Sequence, residues 1–215
     1  MEDLYIIGTN GFAAEVTEYI LDNDKYRIKG YFDIVEEYYK KSKFQAPFLA
    51  SENDFTFVSN DNVVIAISDN KIRNRIYLNL KKKKVSFPNI FHKSALISKS
   101  CQLDEGSIIC PFVTITANTK IGKNFQANIY SYVAHDCIIG DNVTFAPSAK
   151  CNGNVVIENN VFIGSGAIIK NGSIDKPLTI GQNSTISAGT YVNKNVPPNY
   201  IAYGNPCKFI KKNEK

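Results

Sequence analysis

His135 and Asp136 are the adjacent pair in this sequence best equipped to move a proton. An imidazole changes charge near neutral pH, so it can take a proton from a nucleophile as a bond forms. A carboxylate beside it favours the protonated ring that results. The other histidine, His92, falls in a segment leading into a repeat, where a structural role is expected. His135 stands two places after Val133 and two before Cys137, both of which the surrounding pattern turns inward. It is therefore expected at an outward corner, next to a carboxylate, rather than in a core.

The surrounding pattern is a period of six. Ile97, Leu103, Ile109, Ile115, Ile121, Ala127, Val133, Ile139, Phe145, Cys151, Ile157, Ile163 and Ile169 are all apolar. A second row four places later, running from Cys101 through Val113, Phe125, Cys137 and Val155 to Ser173, is also compact. A helix would space its apolar residues by three and four, and a simple strand by two. A strict six predicts a coil with three flat sides and one inward aliphatic per side, stacked as a parallel β-helix. Neighbouring strands lie about 4.8 Å apart, so each coil advances the prism by about that much. Gly122, Asn124, Gly140, Asn142, Gly153, Asn154, Asn159, Asn160 and Gly164 fall between inward positions. They are expected at corners, where Gly and Asn accept left-handed backbone angles. After Ile169 the next inward residue comes eleven places on, at Ile180, followed by Ile186 and Val192. Residues 170–179 are therefore expected to loop out, and an insertion in a strict repeat marks a candidate binding face.

The rest of the composition narrows the class. At 215 residues, one or two domains are expected. The net charge of +5 comes largely from Lys81 to Lys84 and from Lys211-Lys212. Such runs read as solvated surface, and they lack the interleaved aromatics that stack bases, so no nucleic-acid partner is expected. No apolar run approaches the roughly 18 residues of a membrane span. Met1-Glu2-Asp3 lacks the basic and apolar regions of a signal peptide, so a cytoplasmic location without membrane insertion is expected. The five cysteines are scattered, and Cys101, Cys137 and Cys151 fall on the repeat lattice. They read as small core residues, and no spacing suggests a metal site.

Ahead of the repeat the pattern changes. Leu4 to Ile7 is a short apolar run, followed by Gly8-Thr9-Asn10-Gly11 and a helical period from Phe12 to Leu21. Tyr26 to Phe32 and Val63 to Ile67 read as two more strands, and Asn70 to Lys82 as a second amphipathic helix. Alternating strands and helices predict a small Rossmann-like parallel sheet in an α/β domain. Ligands of such sheets bind at the carboxyl ends of the strands, where Gly8 to Gly11, Asp33 and Ser68 to Asn70 all fall. The glycine turn predicts either a tight strand-to-helix connection or a phosphate or sugar cradle at a helix N-terminus. Asp33 is a candidate acceptor for a ribose or base, or a strand-end turn residue. The domain closes near residue 88, too short for a six-stranded dehydrogenase fold. Pro88 and Asn89 mark the boundary, with domains expected at 1–88 and 89–215.

The repeat, the stretch His135-Asp136-Cys137-Ile138-Ile139-Gly140-Asp141, and the ending Val196-Pro197-Pro198 with Gly204-Asn205-Pro206-Cys207-Lys208 together resemble the left-handed β-helix hexapeptide acyltransferases. The Gly8 turn and residues 65–73 resemble, within them, the sialic acid O-acyltransferase group. That group includes bacterial N-acetyltransferases of nucleotide-linked 4-amino sugars, such as the bacillosamine pathway enzyme. The resemblance implies an α/β domain that binds a nucleotide sugar, followed by an all-β left-handed parallel β-helix with a C-terminal tail. It implies acetyl-CoA as cosubstrate without a metal, a 4-amino-4,6-dideoxy sugar as acceptor, a role in surface glycan or lipopolysaccharide synthesis, and a homotrimer with the CoA groove between prisms. His135 corresponds to the catalytic base and Asp136 to the acidic residue that supports it. Gly8, Asn10, Gly11, Phe12, Asp33 and Ser68 fall where the nucleotide sugar is held, and Asn128 near the acceptor. Thr144, Ser165 and Ala188 fall where the coil edge meets acetyl-CoA. Phe12 and Thr144 stand where the bacillosamine enzyme has histidines. Two other readings stay open at this level: a sugar O-acetyltransferase, and a non-catalytic nucleotide-binding β-helix module.

Overall fold

The computed structural model describes residues 1–212, and its backbone separates into two compact units at Ile90/Phe91. In the first unit, β1 (Glu2–Ile7) lies between β2 (Tyr26–Phe32) and β3 (Asn62–Ile65), and all three run parallel. Helix α1 (Gly11–Leu21) follows β1, and α3 (Asn70–Lys81) follows β3. A short α2 (Glu36–Lys41), which the sequence reading does not predict, follows β2. It buries no residue, and two exposed i,i+4 ion pairs, Lys40–Glu36 and Lys41–Glu37, run along it. With no apolar stripe, it carries no periodic signal.

The core of this unit is built from strand and helix faces that meet. Ile7, Phe32, Val63 and Ile65 pack with Ile76, Tyr77 and Leu80 of α3 and with Phe57, Val85 and Phe87. Burying an aliphatic or aromatic side chain of this kind contributes about 1.5–3 kcal/mol. Arg73 is buried among them at 1% exposure, and its Nη1 donates to the carbonyls of Ile67 and Ser68 at 2.9 and 3.1 Å. Burial disfavours its charge and pulls its pKa down.

The second unit is the expected coil. Its first face stacks Ile90–Phe91, Ile108–Ile109, Gln126–Ala127, Thr144–Phe145, Phe162–Ile163 and Thr185–Ile186. The face is closed by Tyr200–Tyr203 and the antiparallel strand Lys208–Lys211. The second face stacks Leu96–Ile97, Thr114–Ile115, Tyr132–Val133, Lys150–Cys151, Ile168–Ile169 and Tyr191–Val192. The third stacks Gln102–Leu103, Lys120–Ile121, Ile138–Ile139, Val155–Ile157 and Leu178–Ile180. Apart from that closing strand, the pairing within each face is parallel. From Ile109 to Ile169 the period-six residues are buried at 0–3% exposure. The second row is buried from Ser107 to Ala167, whereas Cys101 is half-buried and Ser173 is exposed. Ser173 fails the expectation because it lies in the insertion, which spans residues 170–177. Leu178 already pairs with Val155.

The corners correct one reading of the glycines. From Leu103 to Ile163, and again after Ile180 and Ile186, the left-handed residue comes three places after the inward one: Phe112, Asn118, Asn124, Tyr130, Asp136, Asn142, Ser148, Asn154, Asn160 and Asn183, with Gly106, Gly166 and Gly189. Gly122, Gly140, Gly153, Asn159 and Gly164 do not have positive φ. Crowding, not backbone angle, selects the first two glycines. A Cβ on Gly122 or Gly140 would lie 2.9 Å from the backbone nitrogen of Asp141 or Asn159 in the next coil. Along the edge between the third and first faces, left-handed asparagines form a ladder. Asn142 Nδ2 donates to Asn160 Oδ1 (2.8 Å), Asn160 to Asn183 (3.2 Å), and Asn183 to Asn199 (3.0 Å).

Candidate active site

Six of the residues expected to hold a ligand line one cleft of about 520 Å³ in the first unit: Gly8, Asn10, Gly11, Phe12, Asp33 and Ser68. The cleft opens at the carboxyl ends of the three strands. Gly8 is required twice over. Its φ is +111°, and a Cβ there would lie 2.7 Å from the Ala66 carbonyl oxygen. Asn10 caps α1, its side chain accepting from the Gly11 N–H at 2.8 Å. The helix has no acidic residue in its first turn, so no carboxylate of its own offsets its positive end. Asp33 is more engaged than the sequence suggests. Its Oδ2 accepts from the Thr9 N–H and hydroxyl at 3.0 and 2.8 Å, and its Oδ1 from the Val35 N–H at 3.2 Å. It braces the glycine turn while it lines the cleft.

Tyr38, Glu52 and Arg75 also line the cleft and were not singled out by sequence. They come from α2, from an irregular segment and from an exposed face of α3, so no periodicity points at them. The carbonyls that Arg73 holds belong to Ile67 and Ser68, both cleft-lining. Arg73→Met is therefore expected to lower the melting temperature, because each orphaned carbonyl costs about 1–3 kcal/mol. It should also weaken binding in the cleft by roughly tenfold, the equivalent of about 1.4 kcal/mol. Thermal melts and ligand titration check this, and an unchanged melting curve would rule it out.

His135 and Asp136 lie on the edge between the second and third faces of the coil. Both side chains face outward, 58% and 42% exposed, as the repeat requires. His135 Nδ1 is 2.6 Å from Asp136 Oδ2. With a carboxylate as acceptor, Nδ1 carries the hydrogen and Nε2 keeps its lone pair. The hydrogen bond from His135 lowers the Asp136 pKa most, and the one from Asn118 comes next. The carboxylate therefore stays ionised at neutral pH. On the same edge, one coil on, lies Gly153. A Cβ there would sit 2.6 Å from His135 Cε1 and 2.7 Å from Nε2. The ring occupies the space of the missing side chain. Two coils on from His135, the insertion at 170–177 leaves from this same edge, where the Gly172 N–H donates to the Gly153 carbonyl at 3.0 Å.

The remaining residues lie elsewhere on the prism. Asn128, Ser165 and Ala188 occupy the edge between the first and second faces. Asn128 Oδ1 there accepts from the Ile129 N–H at 2.9 Å. Ser165 and Ala188 are exposed. Thr144 is not at a corner. It is in a first-face strand and only 3% exposed. One chain therefore does not bring these four to His135. Among the described residues, no group of three or more His, Cys, Asp or Glu side chains could hold a metal ion, and no helix is long and apolar enough to cross a membrane.

Comparison with known proteins matches each unit. Residues 3–80 match the PglD N-terminal domain, residues 118–153 the bacterial transferase hexapeptide (six repeats), and residues 154–194 the hexapeptide repeat of succinyl-transferase. A GDP-perosamine N-acetyltransferase of Escherichia coli O157:H7 is 49% identical over 148 residues, 69% of this chain and 67% of that protein. WeeI from Acinetobacter baumannii AYE superposes with a TM-score of 0.87 at 36% identity, covering 98% of this chain and 100% of WeeI. PerB from Caulobacter crescentus, solved in complex with CoA and GDP-perosamine, superposes at 0.86 with 25% identity and 98% of both chains covered.

Proposed function

Because this chain belongs to the left-handed β-helix hexapeptide acyltransferases that carry a PglD-type N-terminal domain, we propose that it N-acetylates a nucleotide-linked amino sugar with acetyl-CoA. The observation that carries this reading is the outward His135 with Nδ1 fixed on Asp136 and Nε2 free. The cleft at Gly8 to Gly11 receives the nucleotide, its diphosphate drawn to the positive end of α1. The amine attacks the thioester carbon, and His135 Nε2 takes its proton as the C–N bond forms. The electron pair of the carbonyl moves onto oxygen, then returns to expel the CoA thiolate. The developing oxyanion needs a donor. The Gly153 N–H makes no hydrogen bond among the described residues and belongs to the residue against which the imidazole lies, so we assign it that role. The imidazolium then delivers its proton to the leaving sulfur. Holding two large ligands together supplies a further part of the rate.

The acceptor we propose is a 4-amino-4,6-dideoxy sugar, with GDP-perosamine the first candidate because the relative from Escherichia coli O157:H7 is named for it. In this reading the protein is a cytoplasmic homotrimer that serves surface glycan synthesis. Asn128 of one prism lies near the acceptor sugar, and Ser165 and Ala188 meet acetyl-CoA, opposite His135 of the next, whereas the Thr144 side chain is buried in its strand. Their location away from the His135 edge in one chain supports this assembly. The test is acetyl-CoA with a panel of GDP-, UDP- and dTDP-linked 4-amino sugars and free sialic acid, following thiol release and product mass. Amine-dependent thiol release with a gain of one acetyl group is expected. Turnover only on a hydroxyl acceptor, or on none, would overturn the reading, and a monomer in sedimentation would remove the shared site.

A further inference from the structure

The structure assigns a positioning role to Asn118, which lies one coil before Asp136 on the same edge. We propose that Asn118 sets the orientation of the Asp136 carboxylate and, through it, the tautomer of His135. Asn118 Nδ2 donates to Asp136 Oδ1 at 3.1 Å, leaving Oδ2 for His135 Nδ1 at 2.6 Å. The two carboxylate oxygens are thus divided between one donor from the coil before and one from the same corner.

The asparagine ladder on the neighbouring edge explains how this arises. There, Asn160 and Asn183 each accept from the coil before and donate to the coil after. Asn118 and Asp136 occupy the equivalent corner positions of their own edge, with φ of 59° and 56°. An aspartate can accept in such a ladder but cannot donate. Its second oxygen has no rung to join and turns to the imidazole beside it. Asn118 is itself anchored, because its N–H donates to Ser100 Oγ at 3.0 Å, and Ser100 Oγ lies 3.1 Å from Ser98 Oγ. A column of serine and asparagine groups therefore ends on the carboxylate.

The terminal torsion of an aspartate is broad and roughly two-fold. Asp136 is well exposed, so without the Asn118 donor its carboxylate turns freely and the Nδ1–H loses a fixed acceptor. Part of the population then carries the hydrogen on Nε2, where it cannot accept a proton from the nucleophile. The ionisable group facing the pair from inside the coil is Cys137, whose Sγ donates to the His135 carbonyl at 3.6 Å. From the coils before and after, Ala117, Gly153 and Asn154 bring no charge.

The inference rests on His135 as the base, and its test separates the two. Nitrogen NMR of the His135 ring in the ligand-free protein reads the tautomer whether or not the ring is catalytic. The wild type is expected to hold the hydrogen on Nδ1, and Asn118→Ala to give a mixture. In turnover, Asn118→Ala is expected to lower kcat by about tenfold with KM for both substrates unchanged. Asn118→Asp, close in shape, adds negative charge to the pair and should move the acidic limb of the kcat profile to higher pH. A wild-type tautomer and kcat in Asn118→Ala, with only a lower melting temperature, would overturn the proposal. If Asn118→Ala does not fold, an unshifted limb and unchanged tautomer in Asn118→Asp would overturn it equally.

Discussion

Replacing His135 with alanine is expected to lower kcat by about 10²–10⁴, the range that a positioned general base contributes. That corresponds to about 3–5 kcal/mol of transition-state stabilisation. The KM values for acetyl-CoA and the sugar nucleotide should change little, because the ring acts on the proton in flight and holds neither ligand before it. Stability should hold within about 0.5 kcal/mol, since the side chain is mostly exposed and belongs to no core. The pH dependence gives an independent reading. Activity in the wild type requires an unprotonated imidazole and an unprotonated amine, so it rises with pH. The alanine variant keeps only the rise that belongs to the acceptor amine. Asp136 does not add a limb of its own near neutrality, because hydrogen bonds from His135 and Asn118 hold its pKa below the usual carboxylate range. Steady-state kinetics across pH, with circular dichroism as a check on folding, measures all of this. A folded alanine variant at full kcat would falsify the base.

The coil was legible because its rule is strict. One inward aliphatic per face repeats at six, so the spacing of Val133 and Cys137 alone places His135 outside, and both are buried. The parallel sheet of the first unit was legible for the same reason: apolar runs end at turn residues. Cleft residues from irregular segments were not. Glu52 is buried in the cleft without sitting on a helix or strand. Arg73 reads in sequence as a polar position of α3, yet it turns inward to satisfy two carbonyls. Asn118 and Gly153 were within reach of the sequence. Each lies one coil of eighteen residues from the pair, Asn118 before Asp136 and Gly153 after His135, so the coil period itself aligns them with it. The corner rule misassigned Gly153 because a glycine chosen for space looks the same in sequence as one chosen for backbone angle.

That distinction makes Gly153→Ala a sharp test. Its φ is not positive, so alanine meets no backbone strain. The nearest atoms to an added Cβ are Cε1, Nε2 and Nδ1 of His135, at 2.6, 2.7 and 3.1 Å. Real Cβ atoms do not approach that closely, and the ring is the free end of an exposed side chain, so the ring gives way. Its displacement breaks the 2.6 Å contact with Asp136 and moves Nε2 from the nucleophile. Misplacement by about 1 Å can cost about 10² in rate, so kcat should fall by roughly that factor while the melting temperature stays near the wild type. Gly140→Ala is the opposite case. Its added Cβ meets the Asn159 backbone nitrogen at 2.9 Å, so it should lower the melting temperature. The double variant Gly153→Ala with His135→Ala decides how the methyl group acts. If it acts only by moving the imidazole, the double variant is as slow as His135→Ala alone, because the ring it displaces is already gone. A further loss on top would mean that the methyl group also obstructs the Gly153 N–H or the reacting atoms. Wild-type kcat in a folded Gly153→Ala would mean that the space beneath the ring has no part in placing it.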